Sequence, residues 1–142
     1  MRRHNGSKGY YQDEVKHALE KQQWCITADP LLFKFGGVKF LIDLAAEGVL
    51  RVDRGDEKIA VEIKSFLNPS TVTDFYAALG QFLSYRVALE ATEPERVLYL
   101  AIPLDTYQTF FQLEFTRTTV RSYQVKLIVY DDAREEIVQW IS

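Results

Sequence analysis

The sequence is nearly without cysteine. Cys25 is the single one in 142 residues, which excludes an internal disulfide and any zinc site built on cysteine pairs. Long hydrophobic runs are missing too. No stretch reaches the roughly 18 consecutive apolar residues of a spanning helix, so no membrane association is expected. The opening MRRHNGSKG carries charge but no apolar segment of the kind a secretory leader needs, and a cytoplasmic protein is expected. An excess of positive charge is absent: 17 Lys and Arg stand against 20 Asp and Glu, for a net charge of −3. A chain gripping nucleic acid unaided through its phosphates would be basic. Any action on DNA therefore calls for a partner, a metal or a local basic patch.

What is present is a globular composition, with 47% hydrophobic and 26% charged residues, which excludes disorder. No repeat, low-complexity tract or linker divides the chain. Residues 1–142 read as one domain, with 1–9 as a flexible N-terminal extension. Tyr11, Val15, Ala18 and Leu19 recur at helical spacing, predicting an amphipathic helix from Tyr10 to Gln22. Trp24 to Ile26 and Leu31 to Phe35 read as extended, separated by Asp29-Pro30 and followed by a turn at Gly36-Gly37. Val38 to Ala45 reads as one strand of nearly unbroken apolar content. Gly48 marks a bend, and Val49 to Val52 runs into a turn at Asp53 to Glu57. Lys58 to Phe66 returns as the second arm of a hairpin. Ser70 is placed to cap a long helix from Thr71 to Thr92, in which Gly80 would mark close packing. Arg96 to Ile102 is a buried strand, Asp105 to Phe115 a helix, and FTRTTVRSY undecided. Val125 to Tyr130 and Ile137 to Ile141 close the chain as strands, the last at an edge. The order implies an α/β domain with a mixed central sheet flanked by helices, and a parallel crossover at the second helix.

The segment IAVEIKSF, Ile59 to Phe66, carries the chemistry. As a strand it sends Ile59, Val61 and Ile63 to one face and Ala60, Glu62 and Lys64 to the other. A carboxylate and an ammonium then stand on a strand that otherwise looks buried, which costs several kcal/mol per charge unless something pairs with them. Asp43 interrupts the apolar run FLIDLAA on the preceding strand. Two acids and a lysine at strand centres suit a divalent cation and an attacking water.

These residues carry a resemblance. An acidic first helix, a strand with Asp, a strand with Glu-x-Lys and a helix with Gln together resemble the PD-(D/E)XK nuclease superfamily. More closely, DEVKHALEKQQW, DPLLFKFGGVKFLIDLAAEGVL, EKIAVEIKSFLNPS, ALGQFLSYRVAL, EPERVLYLAIP and EEIVQWI resemble the XisH family, the cyanobacterial fdxN-element excision controlling factors. The likeness runs from about residue 10 to 141. It implies a restriction-endonuclease-like fold and a role, beside a XisI-like partner, in excising a DNA element during programmed rearrangement. By position it implies Asp43, Glu62, Lys64 and Gln81 as the catalytic set. Asp43, Glu62 and the Ile63 carbonyl would be the ligands of Mg²⁺ or Mn²⁺, with Asp13 or Glu14 as a first-helix acid beside them. The superfamily's Pro-Asp is Ile42-Asp43 here.

Each residue also has a plainer reading. On a solvated face Glu62 and Lys64 would be ordinary cross-strand partners. Gln81 would be a surface residue, and Asp13 and Glu14 a helix start favoured by the macrodipole. Glu47 reads as a loop-stabilising acid, His4 and His17 as surface residues, and Cys25 as a small core residue. The four aromatics of TYQTFFQLEF and the closing edge strand would either fill the core or be covered by a homodimer or partner protein. Three functions follow. The first is a metal-dependent endonuclease acting on DNA during element excision; the second is a non-catalytic accessory or scaffold of a recombination complex; the third is a regulatory or toxin-like subunit neutralised by a partner.

Overall fold

A computed structural model describes residues 11–48 and 57–142. The expected extension 1–9, the run Val49 to Val52 and most of the turn beginning at Asp53 lie outside the described residues. Helix α1 (Gln12–Lys21) buries Gln12, Val15, Ala18 and Leu19 along one stripe. Five strands follow: β1 (Trp24–Ala28), β2 (Leu31–Phe35), β3 (Val38–Ile42), β4 (Leu44–Gly48) and β5 (Lys58–Ile63). Then come α2 (Thr71–Thr92), β6 (Arg96–Pro103), α3 (Leu104–Gln108), α4 (Glu114–Ser122), β7 (Leu127–Asp131) and β8 (Glu136–Ile141).

The main sheet runs β1-β4-β5-β6-β7-β8, and β2 and β3 form a separate two-stranded ribbon. β5 lies antiparallel to β4 and parallel to β6, so α2 is the expected parallel crossover. β6 and β7 are parallel and β8 returns antiparallel at the edge. The sheet is mixed, as its α/β order implies. Ile59, Val61 and Ile63 of β5 pack with Val15 and Leu19 of α1. Ala60 faces the other way, among Phe75, Ala78 and Phe82 of α2. Burying side chains of this size contributes about 1.5–3 kcal/mol each. Ser70 caps α2, its hydroxyl accepting from the Thr73 N–H at 3.3 Å.

Several expectations are corrected. The strand Val38 to Ala45 is two strands, broken at Asp43: β3 pairs with β2, while β4 pairs with β5. The strand expected to reach Phe66 ends at Ile63. The helix Asp105 to Phe115 is interrupted, because Thr109 and Leu113 leave helical geometry (φ −113°, ψ −83° and φ −68°, ψ 145°). The undecided FTRTTVRSY is mostly helix α4. Gly80 packs against nothing, since an added Cβ would meet open space. Cys25 is exposed, because alternation along β1 turns Trp24 inward and Cys25 outward. The aromatics mainly fill the core: Phe75 is ringed by Phe110, Phe111 and Phe115 at 5.4–6.1 Å. Trp140 on the edge strand packs on Tyr99 and Trp24 at 5.1 and 5.7 Å. No described helix is long and apolar enough to cross a membrane.

Candidate metal centre

Asp43 occupies the break between the ribbon and the sheet. Ile42 still pairs with Leu31, and Leu44 already pairs with Val61. The residue between them is free to turn its carboxyl onto the end of β5, where its Oδ2 accepts the Ile63 N–H at 2.8 Å. α1 fixes the backbone at this point. The Gln12 amide donates to the Asp43 carbonyl at 3.2 Å and to Asp29 Oδ1 at 2.9 Å. Asp29 in turn holds Lys16 at 2.8 Å. Gln12 is buried on the α1 stripe, three residues before Val15 and seven before Leu19, the spacing that marks an inward position.

Glu62 follows Ala60 on the α2 side of β5. It is 6% exposed, and its Oε1 is buried without a hydrogen-bond partner. Burial, and then the neighbouring Asp43 carboxylate, push the Glu62 carboxyl up to about 8. Asp43 is raised as well, chiefly by burial, against the pull of the Ile63 N–H and the Lys64 charge. The two carboxyls act on each other, and Glu62, raised to about 8, keeps a proton at neutral pH. Two carboxylates this close cannot both ionise cheaply.

Lys64 is half-buried just beyond β5. Its N–H donates to the Ala101 carbonyl at 3.0 Å, and its carbonyl accepts the Tyr130 hydroxyl at 3.4 Å. The segment therefore stays extended, and the Lys64 ammonium acts on both carboxyls. From α2, Gln81 buries an Oε1 with no hydrogen-bond partner. Tyr85, one turn on, is pushed up to about 12 by burial and then by the charges of Glu62 and Asp43. Its ring meets Phe40 of the ribbon edge-on at 6.2 Å. Neither Gln12, Asp29 nor Tyr85 stands out in the sequence, although the i,i+4 relation of Gln81 and Tyr85 was available as a signal.

The structure therefore brings Asp43, Glu62 and Lys64 together. Asp13 is exposed and Glu14 half-buried. Among the described residues no group of three or more His, Cys, Asp or Glu side chains is arranged to hold a metal. Glu47 is a cross-strand neighbour of Cys25 and Lys58. His17 is exposed, with Nδ1 2.9 Å from Glu135 Oε1. The donor set at the break is all oxygen: two carboxyls and the Ile63 carbonyl, which in a strand points the same way as the Ile63 amide. Such donors suit a hard cation that keeps several waters, and the orphaned Glu62 Oε1 is an acceptor that a cation would satisfy.

A model of the XisH protein family matches residues 6–138. An XisH family protein from Nostoc punctiforme PCC 73102, solved by crystallography, is 51% identical, with a TM-score of 0.86 over 93% of this chain and 98% of that one. An fdxN element excision controlling factor protein from Anabaena variabilis is 50% identical, with a TM-score of 0.85 over the same shares. No curated protein matches the chain.

Proposed function

Because the chain belongs to the XisH family, we propose that it is a divalent-metal-dependent, endonuclease-like protein of PD-(D/E)XK fold. Its substrate in this reading is DNA undergoing programmed excision. One observation carries the reading: Glu62 is buried with an unpartnered oxygen against Asp43, on the face that also bears Lys64. A scaffold would gain nothing from that arrangement, since an apolar residue at Glu62 would be the more stable choice.

Asp43, Glu62 and the Ile63 carbonyl would hold Mg²⁺ or Mn²⁺. Bound there, the cation supplies charge to a phosphoryl oxygen and acidity to a water. The carboxyl pair must first give up its proton, which couples cation affinity to pH. Lys64 orients the attacking water and offsets charge on the phosphate in the transition state. Gln81 fixes Lys64 or the scissile group, and the neutral Tyr85 hydroxyl, on which both carboxyls act, would be a further hydrogen-bond donor there. Gln12 keeps Asp43 aimed at β5.

A second reading is a non-catalytic accessory working with a XisI-like partner, favoured by the net charge of −3. Incubation with supercoiled plasmid in Mg²⁺ or Mn²⁺, with and without such a partner, separates the two. Nicking abolished in Glu62→Ala and Lys64→Ala supports the enzyme. No nicking in any combination supports the accessory.

A further inference from the structure

The β2–β3 ribbon stands outside the main sheet and carries a feature that folding alone disfavours. Lys34 and Lys39 are direct cross-strand partners, both exposed, and like charges in that relation are destabilising. The twelve residues 31–42 contain these two lysines and no acid, in a chain whose net charge is −3. Next to them on the same outward face are Leu32 and Leu41, 67% and 51% exposed and also direct partners.

The ribbon is built to be stiff. Gly36 and Gly37 close it with φ +60° and +84°, the two-residue turn that matches strand twist and that other residues adopt only with strain. On the inner face Phe33 and Phe40 stack at 5.3 Å, and Phe40 rests on Tyr85 of α2. The ribbon ends at Ile42, one residue before Asp43. At about 3.3 Å per residue, Lys39 stands roughly 13 Å from Asp43. A two-stranded ribbon fits the major groove of duplex DNA, which is about 12 Å wide.

We infer that the β2–β3 ribbon is the surface that holds duplex DNA: Lys34 and Lys39 contact phosphates flanking a groove, Leu32 and Leu41 face the groove wall, and the duplex is thereby set against Asp43 and Glu62. This rests on the reading of the protein as acting on DNA. It supplies the local basic patch that the overall charge lacks. The unfavourable lysine pair is then retained for binding, and its neutralisation stabilises the free protein.

The test is the salt dependence of duplex binding by the full-length protein. Anisotropy of a short fluorescein-labelled duplex is measured without and with Mg²⁺. Lys34→Gln/Lys39→Gln is predicted to weaken binding about tenfold at low salt and to lower the slope of log Kd against log salt by about 2, at roughly 0.9 per lost phosphate contact. The same variant is expected to gain Tm on addition of Mg²⁺ as much as the wild type does, and Lys34→Arg/Lys39→Arg restores the slope. Arg117→Gln/Arg121→Gln, an equal loss of charge on exposed residues of α4, leaves the slope nearly unchanged. Equal effects of the two double variants, or an unchanged slope in the lysine variant while the wild type binds, overturn the ribbon and leave the nuclease reading intact. Loss of self-association in Leu32→Ser/Leu41→Ser with DNA affinity preserved overturns it in favour of a protein contact. A wild type that binds no duplex, alone or with a XisI-like partner, overturns both.

Discussion

The Asp43 carboxyl reaches across a strand break to the Ile63 amide at 2.8 Å, and this bond sets it beside Glu62. Two residues 19 positions apart in sequence thereby become one titrating unit. The consequences are measurable in the absence of any metal.

The first concerns pH. The Glu62 carboxyl titrates near 4.5 when unfolded and at about 8 when folded. Between these values the folded state binds more protons than the unfolded one, so stability falls as pH rises through that window. Below about 4.5 and above about 8 this group adds no slope. Thermal melts of the metal-free protein should show Tm decreasing from pH 5 to pH 8. Glu62→Gln, neutral at all pH, should flatten the decrease and melt higher than the wild type at pH 8.

The second concerns Gln12. Gln12→Ala removes the part-buried donor to the Asp43 carbonyl and to the Asp29 carboxylate. The expected loss is about 1–3 kcal/mol by urea unfolding. Metal affinity should fall as well, because Asp43 loses its aim. Gln12→Glu should not rescue it, since it brings a third carboxyl toward the pair.

The third concerns Tyr85. Tyr85→Phe keeps the ring against Phe40 and should change stability by less than about 1 kcal/mol. Loss of one donor from a desolvated site typically costs about 10²-fold in rate, and plasmid nicking should slow on that scale. The hydroxyl is held neutral up to about 12, so the wild-type pH–rate profile carries no limb from it below that value.

The fourth separates fold from site. Phe75 is 1% exposed at the centre of the α2 core. Phe75→Ala should cost about 3–5 kcal/mol. Lys64→Ala, at a half-exposed position beyond the strand end, should leave Tm nearly unchanged while abolishing nicking.

The alternation of IAVEIKSF was legible because period two is local: Ile59, Val61 and Ile63 share one face as read, and that face packs on α1. The break at Asp43 was not. FLIDLAA is apolar on both sides of Asp43, and nothing local marks that β3 seeks β2 while β4 seeks β5. That choice is tertiary. The glycines misled where their neighbours did not decide. Gly36-Gly37 makes a turn as read, because both adopt positive φ, whereas Gly80 faces open space and reports nothing about packing. In the first helix Asp13 and Glu14 drew notice as acids. The inward residue is Gln12, which its spacing to Val15 and Leu19 reveals once polarity is set aside. The interruption at Thr109 was hidden because its hydroxyl bonds back to the Asp105 carbonyl at 2.8 Å, a local alternative to the helix that composition does not show.

Calorimetric titration of Mn²⁺ near neutral pH, in two buffers of different ionisation heat, tests the metal centre most directly. The wild type should take up the cation with release of a proton from the carboxyl pair, and Asp43→Asn and Glu62→Ala should each abolish that heat. A wild type that takes up no cation, or all three proteins binding it alike, would contradict the assignment.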